Sequence, residues 1–212
     1  MTFTTPFETD KYTVFPGDAI FSNLSFAIRL IDDYTKDKPI GEITVLIKEK
    51  NFRKTDLKAL KNLNGYYFFT DLFPANYTVE VMSEYYFPTE KNVKKYLFSD
   101  PEFSKKPVFE LVLHPRTYYP FPVNTTLLRG LLVSSSGQPV VDAKVEVAGR
   151  DIRTKSDEKG EFVLYFLDII GGNISINIEK MGYIKTINET GEGEAIALVE
   201  GKTIFLGIIV FL

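Results

Sequence analysis

The chain repeats one order of strand-like segments at a spacing of about one small domain. Residues 38–47 resemble residues 138–147, and both segments alternate apolar with polar or charged residues. In the later segment the apolar phase carries Ala143, Val145 and Val147. A period of two is the pattern of a strand with one buried face. The repeat therefore predicts two consecutive β-rich units.

Three further pairs of segments follow in the same order in both copies. Each copy has a turn glycine before a strand, then a second alternating strand, then a tight turn before another strand. The matched pairs are residues 64–69 with 159–164, 74–81 with 171–178, and 84–86 with 181–183. Four matched segments in one order indicate a duplicated architecture rather than chance similarity.

The order of these segments resembles the carboxypeptidase regulatory-like domain family, whose fold is related to transthyretin. The second copy carries the family's Gly-x-Pro turn with a following small residue at 137–143, its Asp-x-x-Gly-x-Phe turn at 157–162 and its Gly-Tyr at 182–183. In the first copy Asn64 replaces the Asp expected before the turn glycine, and residues 51–64 make a longer hairpin loop. The resemblance implies an all-β chain of two tandem transthyretin-like or immunoglobulin-like antiparallel β-sandwiches.

The repeat also predicts where the units begin and end. We expect an N-terminal arm at 1–20, a divergent regulatory-like sandwich at 21–115, a linker at 116–122 and a second regulatory-like sandwich at 123–212. The linker alternates prolines with aromatic residues, which favours an extended and semi-rigid path. It should therefore hold the sandwiches in a preferred orientation.

Missing residue types restrict the chemistry open to the chain. It has no Cys and one His, which excludes disulfides, thiolate metal sites and cysteine nucleophiles. Intradiol dioxygenases and hydroxyisourate hydrolases share this kind of sandwich, but they need histidines or a terminal tetrapeptide not found in this sequence. His114 is interpreted as linker packing rather than a metal ligand or general base. The sequence predicts no catalytic residue, cofactor or metal site, and a protein that is not an enzyme.

Charge and hydropathy favour protein or carbohydrate partners. A formal net charge of -3 and a pI near 5.4 argue against a nucleic-acid-binding protein, which needs a basic surface. Residues 1–10 lack the features of a secretory signal, which predicts a cytoplasmic protein or a particle assembled in the cytoplasm. The apolar residues 204–212 are far fewer than the roughly 20 that a membrane span requires, and they predict a buried final strand.

Two regions are candidate partner contacts. Residues 89–107 are interpreted as a long non-strand connection in which lysines alternate with aromatic residues. The final strand is apolar on both phases, so one face should fill the second core while the other meets another part of the chain or a subunit. The candidate contact residues are Lys94, Lys95, Tyr96, Phe98, Phe103, Phe205, Ile209 and Phe211.

Three tyrosines are candidate ligand-stacking residues. Tyr66, Tyr85 and Tyr118 each belong to a pair of adjacent tyrosines, of which one should face the core and the other the solvent. An outward ring can stack on a sugar. The other interpretation is that the outward ring is ordinary sheet surface.

These features favour a non-enzymatic structural or interaction subunit that binds other protein subunits. Our leading hypothesis is a component or adaptor of a large multi-protein assembly, for which a phage-tail-like contractile injection particle is one candidate. A homo-oligomer is a further arrangement of this kind. The alternative is a carbohydrate- or surface-binding adhesin module that uses the outward tyrosines. The sequence leaves the partner and the stoichiometry open.

Overall fold

The regular structure is β-strand throughout the part of the chain that the computed structural model describes, which confirms the all-β class. The described residues are 7–8, 13–14, 22–49, 57–94, 108–167, 173–190 and 193–211. The earlier strands are β1 (Phe7–Glu8), β2 (Thr13–Val14), β3 (Leu24–Asp32), β4 (Ile43–Glu49), β5 (Leu57–Lys58), β6 (Leu60–Lys61), β7 (Tyr66–Thr70), β8 (Asn76–Ser83), β9 (Thr89–Lys94) and β10 (Val108–Leu113). The later strands are β11 (Thr126–Ser134), β12 (Lys144–Val147), β13 (Arg153–Lys155), β14 (Glu161–Phe166), β15 (Ile176–Lys180), β16 (Tyr183–Ile187) and β17 (Thr203–Phe211).

The first sandwich consists of two four-stranded sheets. One has the order β10-β3-β7-β6 and the other the order β5-β4-β8-β9, while β1 and β2 form a separate two-stranded pair. Alternate residues of both sheets point inward and form one core, as the period-two pattern predicts. Its fully buried members include Phe26, Ile28, Val45, Ile47, Val79 and Leu113.

The second sandwich has the same strand order, except that its described residues include no counterpart of β6. Its sheets are β14-β11-β17 and β13-β12-β15-β16, so β11 takes the place of β3, β12 that of β4 and β17 that of β10. A second core lies between them, with Leu128, Leu132, Val145, Phe162, Ile176 and Ile178 among its buried members. The domain boundaries expected from the sequence stay predictions.

The closing strand of each sandwich runs parallel to the first strand. β10 pairs with β3, and β17 with β11, in parallel register. The other strand pairs of the described residues are antiparallel, so each sandwich of the predicted antiparallel kind contains one parallel pair. Among the described strands, the one before each closing strand belongs to the opposite sheet, so the two are not joined as a hairpin.

Two local assignments from the sequence need correction. Residues 89–94 form edge strand β9, so the expected non-strand connection is wrong over that stretch. In the turn before β7, Asn62 and not Asn64 takes the place of Asp157. The backbone N–H of Tyr66 donates to Asn62 Oδ1 over 2.9 Å, as that of Glu161 donates to Asp157 Oδ1 over 3.0 Å.

Candidate functional site

A β-bulge at Gly207 decides which residues of β17 face the core. The pairing with β11 shifts at this point, and Gly207 has a φ of 72°. Glycine adopts this left-handed conformation without the steric cost of a Cβ. The bulge reverses the inward phase, so Ile209 and Phe211 lie in the second core. The prediction that they face outward with Phe205 is therefore wrong, although a glycine inside an apolar strand is a signal of such a bulge.

The outward residues of β17 form an apolar row. Phe205 is 70% exposed, Ile208 67% and Val210 44%. We call these three residues the β17 face. Phe205 and Ile208 also line a cleft of about 440 Å³ with Arg129 and Glu161.

The polar groups of this cleft are held by the linker and the sheet. Arg129 Nη1 donates to the carbonyl of Thr117 over 3.0 Å. Burial lowers the pKa of the Arg129 guanidinium, and the nearby Glu161 carboxylate opposes that effect. The cleft therefore combines an apolar rim with fixed charges, as contact surfaces between proteins often do.

A lysine from the neighbouring sheet contacts each closing strand. Lys185 Nζ donates to the carbonyl of Val210 over 2.6 Å, and Lys91 Nζ donates to the carbonyl of Glu110 over 2.7 Å. Lysines at sheet edges disfavour pairing with a further strand. The outer face of β17 is therefore more available to a partner than its edge.

A buried carboxylate ties the linker to the first sandwich. Asp32 ends β3, and its Oδ2 accepts the hydroxyls of Tyr86 and Tyr119 over 2.9 and 2.6 Å. Its Oδ1 accepts the backbone N–H of Tyr34 over 2.8 Å. Burial and the Asp32 carboxylate together raise the pKa of both tyrosines, so both hydroxyls stay protonated donors at neutral pH.

A second carboxylate joins the two sandwiches directly. Asp33 Oδ2 accepts the hydroxyl of Tyr165 in β14 over 2.5 Å and lies 2.9 Å from Nδ1 of His114. Lys36 Nζ donates to Asp33 Oδ1 over 2.7 Å. The hydrogen bond from His114 holds the pKa of the Asp33 carboxyl well below its usual range, with further help from Lys36 and Tyr165 and against the effect of burial.

Aromatic rings fill the junction around these carboxylates. Tyr34 contacts Phe121 of the linker and Tyr165 of the second sandwich, with ring centroids 5.2 and 5.4 Å apart. Tyr119 contacts Phe121 at 4.6 Å. Thr117 of the linker also donates to the buried Asp157 carboxylate of the second sandwich. The linker is thus packed against both sandwiches.

The candidate stacking tyrosines lie in different surroundings. Tyr66 is half-buried at the start of β7. The ring of Tyr85 lies so close to Gly41 that a Cβ there would meet it at 2.7 Å. Tyr118 is exposed, with Lys159 Nζ 5.1 Å from its ring centroid. No ring contact joins the three within the described ranges, and their role in ligand stacking stays a prediction.

The structure describes one of the five lysine and aromatic candidates in residues 94–103. Lys94 is the exposed last residue of β9. Lys95, Tyr96, Phe98 and Phe103 lie outside the described residues.

Metal-ligating side chains do not gather in the described ranges, where no three His, Cys, Asp or Glu side chains are grouped as a metal ion would need. In the same ranges no helix has the length and apolar character needed to cross a membrane.

No family model and no curated protein matches the chain. A cohesin–X-dockerin complex from Acetivibrio cellulolyticus is 18% identical with a TM-score of 0.31, covering 40% of this chain and 56% of that chain. The TIE protein of Bacillus anthracis is 14% identical with a TM-score of 0.35, covering 89% of this chain and 34% of that one. The minor pilin of Streptococcus agalactiae is 12% identical with a TM-score of 0.29, covering 89% and 97%. This chain thus spans little more than half of the first of these proteins and about a third of the second.

Proposed function

We propose that the chain is a non-enzymatic structural and interaction subunit that binds another protein through the β17 face. The observation that carries this proposal is the row of Phe205, Ile208 and Val210 exposed on one strand. Adjacent exposed apolar side chains are unfavourable in water, and they are typical of a surface that a partner covers. The partner would offer a complementary apolar surface.

The surroundings of the face favour side-chain packing over strand addition. Lys185 already donates to a carbonyl of β17, which disfavours a partner strand at that edge. The adjoining cleft offers Arg129 and Glu161 as polar groups that can orient a partner. A protein with apolar side chains and a few polar contacts fits this arrangement.

The packed junction supports a role as an adaptor. Asp32 and Asp33 bind tyrosines from the linker and the second sandwich, so the β17 face would be presented in a fixed orientation to the first sandwich. We therefore propose a component of a larger protein assembly. The kind of assembly, for which the sequence suggests a contractile injection particle, stays a prediction.

The test measures which proteins stay bound to the chain, and how it sediments, in extracts of its native source. The double variant Phe205→Ser/Ile208→Ser should lose its bound protein and sediment as a free chain. The matched control is Leu24→Ser/Val108→Ser, which changes two residues of the first sandwich that are 43% and 42% exposed. This control should stay bound, and both variants should keep the parent urea midpoint within experimental error.

Two results would contradict the proposal. One is a double variant of the β17 face that stays in the complex. The other is a parent chain that is monomeric, binds glycans and carries no protein partner, as an adhesin module would.

A further inference from the structure

A second surface lies between the two sandwiches, away from the β17 face. It is a cleft of about 710 Å³ beside β14, which is the opposite edge strand of the β14-β11-β17 sheet. The first sandwich contributes Lys36 and His114 to its lining. The second contributes Arg150, from the turn between β12 and β13, and Arg153, the first residue of β13. Three permanent cations and one imidazole thus converge here in a chain whose net charge is -3.

The two carboxylates of the cleft do not neutralise all of these cations. Asp33 already accepts hydrogen bonds from Lys36, His114 and Tyr165. Asp151 is 90% exposed, and its carboxylate is 3.9 Å from Arg153 Nε, at the outer limit of an ion pair. Such a solvated pair contributes little to holding Arg153 in place.

Arg150 is the cation of this cleft for which the described part of the chain supplies no partner. Its side chain is half-buried in the cleft, and none of the described residues forms a hydrogen bond or ion pair with its guanidinium. The backbone N–H of Arg150 donates to the carbonyl of Val147 over 3.1 Å, which fixes the turn that carries it. A guanidinium has five N–H donors in a planar fork that matches a carboxylate. The arrangement therefore favours an anionic ligand.

The remaining lining distinguishes a peptide from a sugar as the carrier of that anion. Val112, Ile152 and Leu167 add aliphatic side chains to the cleft. The aromatic residue in the lining, Tyr165, packs against Tyr34 and Phe121 and gives its hydroxyl to Asp33. Its ring is thus already engaged and offers no open face on which a sugar could stack. Aliphatic side chains next to a basic group suit a peptide in which acidic and apolar residues alternate.

We propose that this cleft binds an acidic peptide segment, with a Glu or Asp carboxylate on Arg150 and Arg153 and a neighbouring aliphatic side chain against Val112, Ile152 and Leu167. The site uses residues of both sandwiches, so the packed junction is what forms it. It does not depend on the function proposed for the β17 face.

The experiment uses fluorescence anisotropy with a labelled Glu-Leu-Glu-Leu peptide and the full chain. The parent should bind this peptide, and binding should weaken as salt is added. The Gln-Leu-Gln-Leu peptide should bind at least about tenfold more weakly, because a neutral amide cannot form the bidentate, charge-assisted pair that a carboxylate forms with a guanidinium. Arg150→Gln should cause a loss of the same size. The matched control Arg29→Gln removes the same charge from an exposed pair with Glu110 and should change affinity less than about twofold.

Several results would overturn the proposal. The proposal fails if the parent does not bind the Glu-Leu peptide, or binds the Gln-Leu peptide with the same affinity. It also fails if the double variant Arg150→Gln/Arg153→Gln keeps the parent's affinity, or if Arg29→Gln lowers the affinity as much as Arg150→Gln does. Tighter binding of an oligogalacturonate would assign the cleft to acidic sugars instead. The variant Phe205→Ser/Ile208→Ser should bind the peptide with the parent's affinity. A loss of affinity in this variant would show that the peptide binds to the β17 face instead.

Discussion

The closing strands β10 and β17 occupy the same place in two sandwiches of one topology, yet they present different side chains to the outside. In β10 the central outward residue is Glu110, which pairs with Arg29 over 3.1 Å. In β17 the large outward residues are Phe205, Ile208 and Val210, and none of them is charged. The shared backbone arrangement therefore does not decide which sandwich carries a contact surface. The outward phase of the last strand decides it.

The last residues of β3 and β11 also differ, and here it is the first sandwich that carries the specialised residue. Asp32 at the end of β3 is fully buried and binds two tyrosine hydroxyls. Ser134 ends β11 at the corresponding position, where its hydroxyl contacts the exposed Ser136 hydroxyl over 2.9 Å and accepts the backbone N–H of Gln138 over 3.2 Å. The first sandwich thus uses this position for the junction. The second sandwich leaves it half-buried, with exposed hydrogen-bond partners.

The largest expected effect is a difference in unfolding free energy between substitutions at Asp32 and at Ser134. Asp32→Ala should lower the free energy of unfolding by about 3 kcal/mol or more, because the Tyr86 and Tyr119 hydroxyls lose their buried acceptor. Ser134→Ala should cost about 1 kcal/mol or less, since both partners of its hydroxyl, Ser136 and Gln138, are exposed. Urea unfolding of both variants measures the difference. Equal losses would remove the contrast between the two strand ends.

A smaller and pH-dependent effect is expected at Asp33. Its folded-state pKa lies below the ordinary value of 3.8, so its contribution is complete above that value and is lost as the pH falls below it. Asp33→Asn should lower stability by about 1–2 kcal/mol at pH 7, an amount reduced by partial exposure. The difference from the parent should shrink below about pH 4.

The control for that measurement lies across the same cleft. Asp151 is 90% exposed, so Asp151→Asn should change the urea midpoint little at either pH. A deficit of Asp33→Asn that grows on acidification would contradict the assigned role of its carboxylate.

Exchanging outward residues between β10 and β17 should change the hydrophobicity of each strand's outer face with little change in the free energy of unfolding. Ile208→Glu and Glu110→Ile should each change the free energy of unfolding by less than about 1 kcal/mol, because both positions are exposed. Binding of the apolar dye ANS should fall for Ile208→Glu and rise for Glu110→Ile. If Ile208→Glu unfolded the chain, Ile208 would be a core residue and not part of a contact surface.

The smallest effect is expected from the lysines that contact the closing strands. Lys185→Met and Lys91→Met should each cost less than about 0.5 kcal/mol, since both bonds are at the surface. Lys185→Met should nevertheless self-associate more in sedimentation velocity, because it uncovers an edge beside the apolar β17 face. Greater self-association of Lys91→Met would mean that the β17 face is not the more adhesive surface.

The sequence was sufficient for the strands because burial of one sheet face imposes a period of two on the residues. Val145 and Val147, for example, lie in the core on the phase that the alternation predicts. It was not sufficient for β17, where the bulge at Gly207 transferred Ile209 and Phe211 to the core. Both phases of that strand are apolar, so alternation alone could not reveal the change.

The junction could not be predicted from local pattern. Asp32 and Asp33 look like part of an ordinary polar turn, and their tyrosine partners are 54, 87 and 132 residues further along the chain. Nothing in the spacing of an aspartate and a tyrosine so far apart indicates that they meet. The cleft beside Arg150 could not be predicted either, because its basic residues come from two sandwiches.

The most direct test of the β17 face uses the absence of cysteine from the chain. Ile208→Cys and Val108→Cys each introduce one thiol on the outward phase of a closing strand, and both can be labelled with a maleimide dye. In the purified chain both should react readily. In the native complex Ile208→Cys should be protected while Val108→Cys reacts as before. Equal reactivity of Ile208→Cys in the free chain and in the complex would contradict the proposed role of the β17 face.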